Sequence, residues 1–123
     1  MTLLEQMFAM MLMIAAITVL FQTLLSGQVL SNDTKLRHRA LQDASSLMEQ
    51  MAILPLANLA TTFAHDAEIP EFAGLHAPDQ AVRVQYDDPA AATVAPVAYT
   101  VVSTWTNSRG RQETLRIRGV RAR

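Results

Sequence analysis

The stretch "LLEQMFAMMLMIAAITVLFQTLL", residues 3–25, decides the fold of this 123-residue chain. Sixteen of the nineteen residues of segment 7–25 are apolar, and no charged residue occurs between positions 6 and 32. A helix needs about 20 such residues to cross the hydrocarbon core of a bilayer, and no proline interrupts the run. We therefore predict that residues 1–30 form an apolar helix, buried in a membrane or in a bundle of helices.

Glu5 is a single carboxylate at the head of this apolar run. A lone charge within a membrane helix costs on the order of 2–3 kcal/mol even on lenient scales, and such residues are usually functional. The place of Glu5 in the first helical turn offsets about 0.3–1 kcal/mol of that cost. The nearest compensating positive charge is an α-amino group, either its own or that of a neighbouring molecule packed alongside.

Two simpler interpretations of the apolar run fit less well. A secretory signal peptide has a positively charged start and a small-residue cleavage site, but no Lys or Arg precedes Lys35 and no such site follows the run. A plain single-span anchor would place Lys35, Arg37, Arg39 and the remaining chain in the cytoplasm by the positive-inside rule, unless a basic leader has been removed. The carboxylate of Glu5 disfavours a plain anchor.

The segment "MTLLEQMFAMMLMIAAITVLFQTLL" resembles the mature N-terminus of a type IV pilin or a type II secretion pseudopilin. The resemblance implies that prepilin peptidase cleaves before Met1 and that Met1 becomes N-methylated. It also implies that Glu5 neutralises the N-terminal amine of an adjacent subunit during assembly. Ile14 and Gln22 stand where many major pilins carry glycine and proline, a pattern closer to minor pilins and pseudopilins. Ser26-Gly27 is the candidate weak point of the helix.

Helical periodicity continues beyond the apolar run. Apolar residues recur at three- and four-residue spacing as far as Leu54, while Arg37, Asp43, Glu49 and Gln50 are expected on other faces. Pro55 ends the helix. One helix over about residues 2–54 would be about 80 Å long. Its second half is amphipathic and therefore predicts a domain packed against it.

The remaining chain predicts a small antiparallel sheet. Segment 55–80 reads as a connecting loop with a helical turn, and apolar alternation or β-branched enrichment predicts three strands, at about 81–86, 97–106 and 112–120. The fold class is α+β: a long helix packed against a three-stranded antiparallel sheet. The chain divides into a membrane or filament-core segment, 1–30, and a segment 31–123 that holds the rest of the helix and a globular head. We expect Trp105 in the core.

Charge is polarised along the head, although the formal net charge of the chain is only −1. Six acidic residues lie between positions 66 and 88, and six arginines lie between 109 and 123. The possible contacts for polyanions or neighbouring subunits are Arg109, Arg111, Arg116 and Arg118. We favour protection of an edge strand or pairing with the acidic region of another subunit over DNA contact, because no surface aromatic residues interleave with the arginines.

Nothing in the sequence predicts an enzyme, a cofactor or a metal centre. The cluster of His65, Asp66, Glu68, Glu71 and His76 fits no zinc spacing. Asp87-Asp88 lacks identifiable further ligands for calcium. No nucleophile, base and orienting residue occur in a recognisable arrangement. The chain contains no cysteine, which excludes disulfides and a cysteine nucleophile.

These observations and the resemblance predict a structural subunit of a type IV pilus-like extracellular filament. It would form a helical homo-oligomer through residues 1–30, after storage in the inner membrane and with the help of the pilus assembly machinery. Three alternatives stay open: a minor pilin, a pseudopilin of a periplasmic type II secretion pseudopilus, and a DNA-uptake pilin. A membrane-anchored protein that does not assemble is the remaining rival.

Overall fold

A computed structural model describes residues 2–122. The chain forms one long helix, one short helix and three strands, in the order α1 (Leu3–Ile53), α2 (Leu56–Thr62), β1 (Ala81–Tyr86), β2 (Val97–Thr106) and β3 (Gln112–Arg121). Helix α1 packs on β2 and β3. The predicted α+β architecture is therefore confirmed, and the three predicted strands agree with the observed ones to within a residue.

Helix α1 is continuous over 51 residues, a length of about 76 Å. Thr2 caps its N-terminus: the Thr2 hydroxyl accepts the backbone N–H of Glu5, and the Glu5 carboxylate accepts the backbone N–H of Thr2. At the other end Leu54 has the extended backbone that a following proline favours, and Pro55 begins the connection to α2. The helix runs unbroken through Ser26-Gly27, so the described structure has no melted stretch there.

The sheet has the order β1-β2-β3, with both pairs antiparallel. Its register places inward-facing residues in rows across the three strands: Val84 beside Val101 and Ile117, Val82 beside Ser103 and Leu115, and Tyr86 beside Tyr99 and Gly119. The free edge of β1 is covered, because the backbone N–H groups of Asp66 and Ile69 donate to Val84 and Val82 carbonyls. Strand β3 forms the opposite edge.

The second half of α1 lies on the inner face of the sheet. Ala40, Ala44, Leu47 and Met51 are buried at helical spacing, as the periodicity predicts. Trp105 is also buried, in a smaller cluster with Ala40 at the end of the sheet nearer the apolar segment. The amphipathic half of α1 therefore provides one wall of the core of the head.

Asp43 corrects the expected orientation of the polar residues of α1. It lies beside the buried stripe rather than on the solvent face, and only 7% of its surface is exposed. Its carboxylate accepts the Gln80 side-chain amide at 2.7 Å and lies 3.2 Å from Nε2 of His76. Burial is tolerated because these partners satisfy the carboxylate. Asp43 thereby fastens the loop before β1 to the helix.

The segment predicted as a loop, 55–80, contains helix α2 and a single 3-10 turn, Pro70–Phe72. Leu59 of α2 is fully buried, which holds this short helix against the core. Tyr86 of β1 holds the C-terminal end of α2 in place, because its hydroxyl donates a hydrogen bond to the carbonyl of the capping residue Phe63 at 2.8 Å. The segment is therefore part of the packed head.

Gly119 is required by a close approach of side chains. A Cβ at this position would lie 2.8 Å from the Tyr99 ring and 2.9 Å from the end of Met48. We expect Gly119→Ala to lower the free energy of unfolding of the head by about 1–3 kcal/mol, the usual cost of overpacking. Near-ultraviolet circular dichroism of the full chain in detergent during heating measures this change.

Gly27→Ala is the control, because no atom lies within 4 Å of a Cβ built at Gly27. It should leave the melting of the head unchanged. An unaltered melting temperature in Gly119→Ala would contradict the packing described for Tyr99.

The two tyrosines should ionise late. Burial raises the pKa of Tyr86 to about 12 and raises the pKa of Tyr99 as well. In the unfolded chain the tyrosine phenols lose their protons near pH 10. The contribution of the buried neutral phenols to the free energy of unfolding is therefore complete below pH 10. It declines as the pH rises through the higher pKa values of the folded state. Absorbance at 295 nm should therefore show ionisation well above pH 10 in the native chain and near pH 10 in guanidinium. Coincident native and denatured titrations would contradict the buried positions.

Candidate functional site

The N-terminal half of α1 is an uncovered apolar surface. Every large apolar side chain from Leu3 to Leu25 is exposed, by between 50% and 77% of its surface. Exposed residues occupy consecutive positions such as 10–14, so the apolar surface surrounds the helix. Soluble monomers rarely expose a continuous apolar patch above a few hundred Å². This helix therefore requires lipid or other helices around it.

The two threonine hydroxyls within this surface are satisfied by the helix itself. The hydroxyl of Thr18 donates to the Ile14 carbonyl at 2.8 Å, and that of Thr23 donates to the Val19 carbonyl at 2.9 Å. Such bonds remove the need for water around a threonine hydroxyl. Lipid or neighbouring helices therefore contact a more apolar surface than the amino-acid composition indicates.

Helix α1 is, among residues 2–122, the one helix long and apolar enough to cross a bilayer, and none of its most apolar window is buried within the chain. A signal sequence near an N-terminus would meet the same criterion of length and composition. The helix is therefore compatible with insertion into a membrane, and its exposure distinguishes it from the core helix of a soluble protein.

Glu5 lies at the start of this surface and has an intramolecular partner. Its Oε2 accepts the Thr2 backbone N–H at 3.0 Å, while the Thr2 hydroxyl accepts the Glu5 N–H at 3.3 Å. This reciprocal capping box needs only a hydrogen-bond acceptor at Glu5, and glutamine also serves in such boxes. Within residues 2–122 Oε1 receives no hydrogen bond. The charge of Glu5 is thus available to a cation, and Met1, predicted as the methylated residue, lies outside the described residues.

The capping box is not among the predictions made from the sequence, in which Thr2 belongs only to the segment that resembles pilins. The signal was present in the sequence, because threonine followed three residues later by glutamate and then by an apolar run is typical of a helix N-terminus. The capping role of Glu5 depends on its oxygen atoms and does not require its charge.

The structure separates the predicted arginines into distinct groups. Arg116 and Arg118 are exposed on the outer face of β3, and Arg118 lies 2.5 Å from the Asp87 carboxylate. Arg109 and Arg111 lie instead at the β2–β3 turn. The Arg121 guanidinium donates to the Met51 carbonyl at the end of α1. The arginines from position 109 to position 121, which the structure describes, therefore do not form one continuous basic stripe.

The β2–β3 turn docks on α1 through Asp33. The Asp33 carboxylate accepts the Ser108 backbone N–H at 3.0 Å and the Ser108 hydroxyl at 2.7 Å. These bonds, and next the positive charge of Arg109, hold the pKa of Asp33 below its usual value. Gly110 allows the tight turn, since its φ of +74° suits glycine. The turn is thereby fixed near the end of the apolar surface.

Three of the five residues considered as zinc ligands, His65, Asp66 and His76, have structural partners. His65 Nδ1 accepts the Tyr86 backbone N–H, Asp66 accepts the Gln85 side-chain amide, and His76 contacts Asp43. Within the described residues no three histidine, aspartate or glutamate side chains come together as a metal site would need. These contacts give each group a part in holding loops to the sheet or to α1.

No protein-family model, curated protein or solved structure matches this chain. The features of the chain that bear on its function are therefore its exposed apolar helix, the Glu5 carboxylate and the arrangement of the head.

We expect Asp33→Ala to release the β2–β3 turn, because both hydrogen bonds to Ser108 are lost. Hydrogen exchange of the Ser108 amide, measured by NMR on the full chain in detergent, should accelerate several-fold while the β1–β2 amides keep their protection. In the unmodified chain the contact should persist above the ordinary aspartate pKa and weaken as the pH falls through the lowered pKa of Asp33.

Asp87→Ala is the matched control, since it removes a carboxylate whose partner, Arg118, lies on the outer face of the sheet. It should leave Ser108 exchange unchanged. Equal acceleration in both variants would show that the turn is not held by Asp33.

Proposed function

We propose that this chain is a structural subunit of a type IV pilus-like helical filament, stored in a membrane and polymerised through its N-terminal helix. The observation that carries the proposal is the uncovered apolar half of α1, which ends in a carboxylate with one unpartnered oxygen in the described part of the chain. A filament core of packed helices would bury this surface, as the bilayer does before assembly.

The two halves of α1 have different roles in such a subunit: the first half would pack in the membrane or the filament, and the second half packs in the head. The second half is covered by the chain's own sheet, so the head remains folded whether the first half lies in lipid or among other helices. Because lipid tails are as apolar as the side chains, helix packing from the membrane gains little from hydrophobicity alone. A polar contact is therefore needed to favour and align assembly.

Glu5 supplies that contact in the proposed mechanism. If Met1 is the processed N-terminus, as the resemblance implies, the Glu5 oxygen that has no partner among residues 2–122 would pair with the α-amino group of Met1 in a neighbouring subunit. A charge pair at low dielectric is strongly favourable over no pairing, and removal of one partner from a buried pair is costly. The pair would thus set the axial register between adjacent helices.

The alternatives predict different locations and covalent states. Electron microscopy of material sheared from cells separates a surface pilus from a short periplasmic pseudopilus, since only the former is released as long fibres. A membrane-anchored protein that does not assemble would show an intact mass without a methylated Met1. We place DNA uptake behind assembly, because the arginines are dispersed over the head.

Glu5→Gln tests the charge of Glu5 separately from its capping role. Glutamine keeps the acceptor oxygen that Thr2 uses but carries no charge to pair with an amine. We expect membrane insertion and the fold of the head to be unchanged, and filament yield to fall to a small fraction of the wild-type value. Glu5→Ala, which loses both roles, should be at least as defective. Quantitative imaging of sheared fractions and immunoblotting of membranes measure the two quantities.

Glu49→Gln is the matched control, because Glu49 is an exposed glutamate on the same helix beyond the apolar segment. It should assemble normally. Wild-type filament yield in Glu5→Gln would overturn the role given to the charge, and a loss confined to Glu5→Ala would assign the defect to helix capping.

A further inference from the structure

The β2–β3 turn gathers basic residues that are distant in sequence around one level of α1. The docking of Ser108 on Asp33 brings Arg109 and Arg111 beside Arg37, where the three arginines and Leu30 line a cleft of about 300 Å³. Lys35 and Arg39 lie on the other side of the same turn, in a second cleft that Ser108 also lines. We call these five residues, Lys35, Arg37, Arg39, Arg109 and Arg111, the basic collar.

The collar carries more positive than negative charge. Two carboxylates line or border the clefts, Asp33 and Glu113. Asp33 accepts two hydrogen bonds from Ser108, and the Glu113 Oε1 accepts the Asn107 side-chain amide at 3.0 Å. Both acids hold the turn and keep their charge, and the five basic residues of the two clefts outnumber them.

The collar begins where the apolar surface ends. Leu30 is the last large apolar residue of that surface and also lines the cleft of the three arginines. At 1.5 Å per residue, Lys35 and Arg37 lie about 7 to 10 Å beyond Leu30 along the helix axis. The headgroup layer on each side of a bilayer is about 5 to 7 Å thick, within the reach of long basic side chains. With Leu30 at the edge of the hydrocarbon core, phosphate groups would lie at the collar.

We propose that the basic collar binds the headgroups of anionic phospholipids while the helix lies in the membrane. A lipid whose tails lie along α1 would put its phosphate into the cleft lined by Leu30 and the arginines, and arginine pairs well with phosphate oxygens. The head is then held in a fixed orientation on the bilayer surface. This proposal rests on the membrane-stored state within the proposed function and does not depend on filament formation.

The outer-face arginines are not part of this surface. Strand β3 runs from the Asp33 contact at Ser108 to the contact between Arg121 and Met51, and so leads away from the apolar half of α1. Arg116 lies five residues beyond Arg111, a distance of about 17 Å along an extended strand. Arg116 therefore lies farther from the apolar segment than Arg111 does, and its substitution provides a matched control for the loss of charge.

The test measures lipid selectivity of the full chain in phosphatidylcholine bilayers, by electron paramagnetic resonance of spin-labelled phosphatidylglycerol and phosphatidylcholine. Wild type should prefer phosphatidylglycerol several-fold, and high salt should reduce the preference. A basic residue near an anionic surface contributes about fivefold to association. Arg109→Gln/Arg111→Gln should therefore lose most of the preference. Arg83→Gln/Arg116→Gln should keep it, because it removes equal charge from Arg83 on β1 and Arg116 on β3, both exposed on the outer face of the sheet.

Three outcomes would overturn the proposal: no preference in the wild type, an unchanged preference in Arg109→Gln/Arg111→Gln, or an equal loss in both double variants. Absence of the lipid preference together with binding of a DNA duplex through Arg109 and Arg111 would assign the collar to nucleic acid. Because lipid selectivity is measured on the unassembled chain, a negative result leaves filament assembly standing, and an assembly defect leaves the lipid result standing.

Discussion

The continuity of one helix through two environments is the constraint on which the rest of this structure depends. Residues of the first half of α1 have no cover from the chain, while residues of the second half form a wall of the core. One helix can continue from lipid into the folded head because an α-helix satisfies its own backbone hydrogen bonds in both environments. The head is consequently attached to the apolar segment without a loop between them.

Because the connection is a continuous helix, contacts in the head lie at fixed distances from the apolar segment. A turn that docks on α1 at Asp33 is held at a fixed distance from Leu30, because every residue between them is helical. The collar therefore lies at one level, and the outer-face arginines lie at another. In a chain with a flexible linker the same basic residues would have no defined height above a bilayer.

Polar groups on α1 act as attachment points in both halves of the molecule. Asp43 holds the loop before β1, Asp33 holds the β2–β3 turn, and Glu5 caps the helix while retaining an unpartnered oxygen in the described structure. The first two are satisfied by partners within the chain. Glu5 differs, because within residues 2–122 one of its oxygens receives no hydrogen bond and the helix around it is uncovered. That difference supports the proposal that its ionic partner lies on another molecule.

The sequence by itself determined the long helix, its division into an apolar and an amphipathic half, and the three strands. These follow from local periodicity, from Pro55 and from β-branched alternation, which need no knowledge of distant contacts. Helix α2 was only partly anticipated, because its stability comes from the burial of Leu59 and from the bond between Tyr86 and Phe63.

Only the tertiary structure decided which polar residues matter and where. Asp43 looks solvent-exposed by helical spacing, but the loop that covers it comes from positions 76–80. The six C-terminal arginines look like one basic run in the sequence. Strand direction and the Asp33 contact nevertheless separate Arg109 and Arg111 from Arg116, Arg118 and Arg121. Such pairings join residues 33 to 75 positions apart, and no local pattern encodes them, because they depend on how the sheet lies across the helix.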